Sequence, residues 1–288
     1  MSDSASLQDL CQRYHLRFKK SLGQNLLLDP NINRIMVDAA ALTLEDDVIE
    51  VGAGLGALTE ELRTRAGRVL AVEIDRAFLP CLQDRFRAAE NVKLFRGDIL
   101  NHHLDKLLDE FLPGRRNLKM VSNLPYYITT PILFHFWESG LHFVRMVVMM
   151  QEEVARRMVA AVGTAEYGVL TLAAQCYCQT DVVRRVPRTC FRPQPRVDSC
   201  IVRLRERSMP PYPDVESRFL LRLVHAAFGQ RRKTLLNSLT RSGTFGVPKE
   251  IVVRALTAAS IDPKRRAETL TFDEYARLAS VIRRSVHG

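Results

Sequence analysis

The chain has 288 residues, 47% apolar and 26% charged, a balance that argues against intrinsic disorder, a collagen-like repeat or a bilayer-spanning architecture. Its net charge of +10 comes from 42 Lys and Arg against 32 Asp and Glu, and the surplus is uneven: 16 against 8 from Leu204 onward, which leaves 26 against 24 before it. A polyanion is drawn to such a C-terminal part by counterion release and long-range steering, and the two clusters Gln230-Arg231-Arg232-Lys233 and Lys264-Arg265-Arg266 concentrate that field.

Taken in order, Met1 to Leu10 carries Asp3 and Asp9 and has neither an apolar leader core nor an Arg-rich amphipathic pattern, so a cytoplasmic protein is expected. No stretch approaches the ~20 apolar residues of a membrane helix, and no membrane partner is expected. Cys11, Cys81, Cys176, Cys178, Cys190 and Cys200 form no C-x-x-C pair and are too few for a disulfide scaffold in a chain this long; reduced thiols and no metal site are expected.

Strand-like and helix-like stretches alternate through the first 200 residues, the pattern of a parallel sheet covered on both faces. The expected strands are Val48–Val51, Val69–Glu73, Val92–Phe95, Lys119–Ser122, Phe143–Met150, Val182–Val186 and Cys200–Leu204, which fit one seven-stranded, Rossmann-like α/β sheet. Between the first two, Leu58, Leu62 and Ala66 mark a helical face, with Gly67 placed as a left-handed terminating residue. Thr130 and Pro131 read as the N-cap and first turn of a helix through Trp137. Met209-Pro210-Pro211-Tyr212-Pro213 excludes helix and central strand and sets a boundary, with a catalytic domain over 1–207 and a small all-helical domain over 208–288. In the latter, Phe219, Leu220, Leu223, Val224 and Ala227 make one apolar stripe and Ile251, Val252, Ala255, Leu256 and Ala259 another. Thr271 and Glu274 have the spacing of a capping box for a last helix through Ile282.

The chemistry-bearing residues sit at the ends of the expected strands. Glu50-Val-Gly52-Ala-Gly54-Leu-Gly56 follows the first strand and opens a helix, so its glycines permit a tight turn and close approach of a ligand. Glu73 ends the second strand, where a carboxylate can accept hydrogen bonds from both hydroxyls of a ribose. The spacing G-x-G-x-G is not the dinucleotide G-x-G-x-x-G, which favours a nucleoside cofactor without a pyrophosphate over a nicotinamide dehydrogenase. Asp98, after the third strand, can accept from an adenine amino group. Asn123-Leu124-Pro125-Tyr126 follows the fourth strand; Pro125 fixes the turn, and an Asn oxygen with a neighbouring backbone carbonyl can accept both hydrogens of an adenine N6 amine and aim its weak lone pair at a methyl donor. Tyr126 would stack on the base once it is unstacked from its neighbours.

With these residues the chain resembles the bacterial 16S rRNA adenine N6,N6-dimethyltransferase family, relatives of the erythromycin-resistance rRNA methylases. Six blocks carry the likeness: Lys19-Lys20-Ser-Leu-Gly23-Gln24-Asn25-Leu-Leu27, Glu50 to Thr59, Asn123 to Tyr126, Gln151-Glu-Glu-Val-Ala155, Phe191-Arg-Pro193-Gln-Pro195-Arg-Val-Asp198-Ser199, and Phe228 to Leu239. The resemblance implies S-adenosylmethionine as cofactor and two adjacent adenosines of the 3′-terminal hairpin of 16S rRNA, each methylated twice, as acceptors. It implies cofactor contacts from Asn25, Leu27, Gly52, Gly54, Glu73, Asp98 and Asn123, and a catalytic group of Asn123, Pro125, Tyr126 and Phe191, with Phe191 sandwiching the flipped adenine against Tyr126; from the basic cluster itself, phosphate contacts are expected at Arg231, Arg232 and Lys233. Leu26 stands where the family usually has Phe, and Glu152 where Lys is common. The expected protein is a monomer acting in small-subunit biogenesis. The non-enzymatic alternative is a ribosome-assembly or transcription factor on the same fold.

Overall fold

The computed structural model describes residues 7–16, 18–19, 23–207, 212, 215–230, 232–241 and 246–287. Seven strands form one sheet: β1 (Asp47–Val51), β2 (Arg68–Glu73), β3 (Val92–Arg96), β4 (Leu118–Asn123), β5 (Arg145–Gln151), β6 (Cys178–Val186) and β7 (Ser199–Glu206), in the order β3-β2-β1-β4-β5-β7-β6. The first five pair in parallel and β7 runs antiparallel to β5. All seven expected strands are present. They were legible because a parallel sheet buried on both faces reads as short continuous apolar runs; every residue of β1 is buried, and so is all of β4 but its last residue.

The strand order reverses between β1, which pairs with β2, and β4 on its other side. In open α/β sheets that is where the carboxyl ends of the strands open a crevice. Register places Val51 beside Val72, Glu73 beside Arg96 and Asn123 beside Met149. The turns after β1, β2, β3 and β4 therefore share one edge of the sheet.

Local signals differ from expectation at two places. The helix after β1 spans Ala57–Arg63, and Gly67 has a φ outside the left-handed region. Gly67 is required for a different reason: a Cβ there would lie 2.2 Å from the carbonyl oxygen of Leu44, and its N–H donates to Asp46 O at 3.0 Å. The helix ending at Trp137 begins at Thr129 with Ile128 as its N-cap, so Thr130 does not cap it; Thr129 Oγ1 instead donates to Pro125 O at 3.0 Å.

Two compact units divide the chain. One comprises the described residues up to Ala155 with Asp181–Glu206; the other comprises Arg156–Thr180 with the described residues from Arg207 on. The chain thus enters the helical unit twice, where a single break after residue 207 was expected. Of the boundary run 209–213, only Tyr212 lies within the described residues. The helical unit contains Val169–Tyr177, Ser217–Phe228, Leu235–Arg241, Lys249–Ala258 and Phe272–His287. Its core gathers Tyr167 and Leu172 with Leu223, Val224, Val252, Leu256 and Tyr275. The buried phenols are satisfied: Tyr167 donates to Leu270 O at 2.8 Å and Tyr275 to Ala267 O at 2.9 Å. The capping box forms as expected, Thr271 N donating to Glu274 Oε2 at 2.8 Å and Glu274 N to Thr271 Oγ1 at 3.2 Å. Arg265 is held by Glu274 and Thr269, which makes it a structural residue within the basic cluster 264–266.

Candidate active site

The glycine turn after β1 has three left-handed residues, Gly52 (φ 82°), Gly54 (φ 58°) and Gly56 (φ 77°), a backbone that side chains other than glycine adopt at a cost. At Gly56 space demands it as well, since a Cβ would sit 2.5 Å from the Phe86 ring. Glu73, 5% exposed, reaches the turn from the end of β2: its Oε2 accepts from Gly54 N at 2.8 Å and its Oε1 from Asp75 N at 2.7 Å. Each carboxylate oxygen keeps a further lone-pair direction. Burial pushes this carboxyl up to about 6, against the lowering effect of the backbone N–H groups. It is ionised at neutral pH and able to accept.

Glu50, 1% exposed, stands behind the turn and accepts from Thr59 Oγ1 at 2.5 Å. Burial, reinforced by the Glu73 charge and opposed by the Thr59 hydrogen bond, raises it to about 8, so it holds a proton at pH 7. The ionised Glu73 carboxylate at the glycine turn, with Asp98 following the next strand, disfavours a pyrophosphate and suits a ligand that brings hydroxyl and amino hydrogens. That donor set fits S-adenosylmethionine.

Asp98 caps the short helix Ile99–Asn101, its Oδ1 accepting from Leu100 N at 3.0 Å. Asn123 ends β4, and its carbonyl oxygen lies 3.6 Å from where a Cβ of Gly52 would be. The Asn-Leu-Pro-Tyr turn is therefore packed directly on the glycine turn. Pro125 O accepts from Ile128 N at 3.2 Å and so closes the turn into the next helix. Tyr127, half exposed, has a phenol raised first by burial and then by the nearby carboxylates of Asp98 and Glu73. The structure thus brings Gly52, Gly54, Glu73, Asp98, Asn123, Pro125 and Tyr126 to one edge.

The segment Gly23–Leu27 joins them. Leu26 and Leu27 pair antiparallel with Arg192 and Phe191. Leu26, in place of the family's usual Phe, packs toward Gly54, its Cδ2 being 3.2 Å from the Cβ position there. Asn25 Nδ2 donates to Gly23 O at 3.1 Å. Phe191 is only 3% exposed and belongs to the sheet's apolar cluster with Val186 and Ile201. Arg232 and Lys233 are exposed in the helical unit, while Arg231 lies outside the described residues. Glu152, in place of Lys, pairs with Arg185 at 3.2 Å.

Two contributors were not singled out from the sequence. Asp75 accepts from Lys19 Nζ at 2.8 Å and Gln24 Nε2 at 2.6 Å, tying the N-terminal segment to the end of β2. Burial acts to raise its carboxyl, but the hydrogen bonds from Lys19, Ala77 N and Gln24 prevail and hold it below the ordinary aspartate value. The only available signal was its place two residues beyond Glu73. Ser199, fully buried at the start of β7, shares a 2.5 Å hydrogen bond with the Tyr126 hydroxyl and fixes the ring's outer end. In the sequence it stands only as the last residue of the Phe191–Ser199 block, with no role of its own.

No helix among the described residues is long and apolar enough to cross a membrane. Among them no group of three or more His, Cys, Asp and Glu is placed to hold a metal ion. The family model described as "Ribosomal RNA adenine dimethylase" matches residues 15–283. A protein of Geobacillus thermodenitrificans named "Ribosomal RNA small subunit methyltransferase A" is 46% identical over 276 residues, covering 96% of this chain and 94% of that one. A crystal structure of a dimethyladenosine transferase from Plasmodium falciparum is 26% identical with a TM-score of 0.74, over 88% of this chain and 95% of that one. The 23S rRNA methyltransferase ErmE is 27% identical with a TM-score of 0.64, over 90% of this chain and all of the other.

Proposed function

The chain belongs to the ribosomal RNA adenine dimethylase family, and from that premise we propose that it dimethylates the N6 amines of two adjacent adenosines in the 3′-terminal hairpin of 16S rRNA, as a cytoplasmic monomer acting on a small-subunit precursor. It is an S-adenosylmethionine-dependent rRNA adenine dimethyltransferase. The observation that carries the reading is the convergence at one sheet edge of the Gly52–Gly54 turn, Glu73, Asp98 and the Asn123–Tyr126 turn.

When bound, S-adenosylmethionine supplies a methyl group already activated by its sulfonium sulfur. Glu73 accepts from the ribose hydroxyls and Asp98 from the cofactor's adenine amine, while Asn25 and Leu27 line the N-terminal side. Asn123 accepts a hydrogen from the target N6 amine through its side-chain oxygen, and a neighbouring backbone carbonyl accepts the other. Both bonds favour a pyramidal nitrogen with its lone pair aimed at the electrophilic carbon. The N–C bond forms as the S–C bond breaks with its electron pair remaining on sulfur, and the nitrogen sheds one proton to water. Tyr126, held by Ser199, is the platform on which the extruded base stacks. Phe191 is the opposite wall, and sandwiching the base requires its buried ring to be uncovered when RNA binds. Arg231, Arg232 and Lys233 of the helical domain grip phosphates.

Incubating the protein with methyl-labelled donor and unmethylated small subunits tests the reading. Two methyl groups on each of two adjacent adenosines near the 3′ end are expected. Label elsewhere, or only N6-monomethyladenosine by mass spectrometry, would overturn it.

A further inference from the structure

We infer that Arg188, Arg192 and Arg196 form a second phosphate-gripping surface, on the catalytic unit, for the nucleotides that flank the target adenosine. The inference rests on the rRNA reading above and goes beyond it, because the uneven charge of the chain pointed only to the C-terminal segment.

The overall surplus before Leu204 is small, yet from Arg184 to Arg196 there are five arginines and no Asp or Glu. All five are exposed. Arg185 is engaged within the fold, by Glu152 at 3.2 Å and Asp198 at 2.8 Å. Asp198 also accepts from the backbone N–H of Arg188 at 2.9 Å, and the Arg188 guanidinium donates to the carbonyl oxygen of Arg196 at 3.1 Å. These bonds draw together two residues of like charge. Arg192 and Arg196 have no ion pair or side-chain hydrogen bond among the described residues. A loop that served only as a solvated connection would gain by interspersing acids, since neighbouring like charges repel, the more so at low ionic strength. A polyanion removes that cost.

Position selects the polyanion. Arg192 lies in register with Leu26 and is the neighbour of Phe191. The same short segment ends at Ser199, whose hydroxyl holds Tyr126. The segment that carries the arginines therefore also holds the ring on which the base stacks, so a strand that delivers its base to Tyr126 brings its adjoining phosphates to this loop. Guanidinium groups match phosphate geometry through paired N–H donors.

The double variant Arg192→Gln/Arg196→Gln, compared with Arg192→Lys/Arg196→Lys, tests this with unmethylated small subunits. Leaving two single-strand phosphates without their cations should make the slope of log K against log salt shallower by about 1.4, and weaken binding about 25-fold near 0.1 M salt. The lysine variant should recover most of that affinity, and both should keep the wild-type melting temperature and cofactor affinity. An unchanged slope in the glutamine variant, or an equal loss in the lysine variant, overturns the inference. Failure of the wild-type protein itself to methylate the subunits would instead overturn the rRNA reading, so the two failures are distinguishable.

Discussion

Replacing Glu73 by Gln separates the cost of a buried carboxylate from its use. Its carboxyl sits at about 6 in the fold against an ordinary 4.5, so keeping it ionised at neutral pH costs about 2 kcal/mol of folding free energy. Because the folded value is raised, this group favours folding most below pH ~4.5, and that contribution is lost as pH rises through about 6. Glutamine removes the ionisation cost. It also replaces one acceptor by an NH2, so either Gly54 N–H or Asp75 N–H is left without its partner, at about 1–3 kcal/mol. The two effects nearly cancel, and denaturant unfolding at pH 7 should place the variant within about 1 kcal/mol of wild type. Cofactor binding should behave otherwise. Charge-assisted hydrogen bonds to the ribose contribute about 1.5–3 kcal/mol, which is a rise in Kd of about 10- to 150-fold by titration calorimetry with S-adenosylhomocysteine. Wild-type affinity should fall by up to tenfold per pH unit below about 6, as the acceptor is protonated, and the variant should show no such dependence. Glu50 is protonated throughout that range and Asp75 is held ionised, so neither mimics the effect. An unchanged Kd in the variant, or a pH dependence that survives the substitution, refutes the assignment of Glu73 to the cofactor.

Asn123→Ala should lower turnover by about 100- to 1000-fold, the range for deleting one preorganised polar group at a reacting centre, while cofactor Kd changes by no more than a few-fold; single-turnover assays that find normal chemistry would remove its role. Gly56→Ala should destabilise the fold by about 2–3 kcal/mol or more, combining left-handed strain with a methyl 2.5 Å from Phe86, whereas Gly54→Ala, facing only the tip of Leu26, should cost about 1–2 kcal/mol; equal melting temperatures for the two would contradict the packing at Phe86. Arg232→Ala with Lys233→Ala should weaken rRNA binding uniformly and flatten its salt dependence by about 0.7–0.9 for each phosphate no longer neutralised, with cofactor binding unchanged; a salt slope equal to wild type would exclude them from the interface.

The seven strands and the position of the site were legible because each depends on short-range chemistry. A strand buried on both faces must be a run of apolar residues, a turn that approaches a ligand must be rich in glycine, and acids that end parallel strands must share an edge. Glu73 and Asp98 are brought to the candidate site by that rule, and Asn123 by its place at the end of the fourth strand. The capping box at Thr271 and Glu274 was readable for the same reason, since both partners lie within one helical turn. Other readings failed where one residue type serves two purposes. Gly67 looked like a helix terminator and is instead a close approach to the Leu44 carbonyl, and Thr130 looked like an N-cap although Ile128 holds that place; the burial of Phe191 in the sheet's apolar cluster is a tertiary feature that its place in the sequence does not show.

The remaining features depend on residues that meet only after the chain has folded. Lys19 and Gln24 find Asp75 from 56 and 51 positions away, Tyr126 finds Ser199 from 73, and Arg156–Thr180 packs with helices that begin near residue 217. Periodicity and turn chemistry are set by neighbours along the backbone, so they survive in the bare order of residues. The identity of a distant hydrogen-bond partner, the protonation of a carboxyl such as Glu50, and the grouping of helices around one core are set by desolvation and by the alignment of strands in register. Those exist only once the sheet has closed over its two faces.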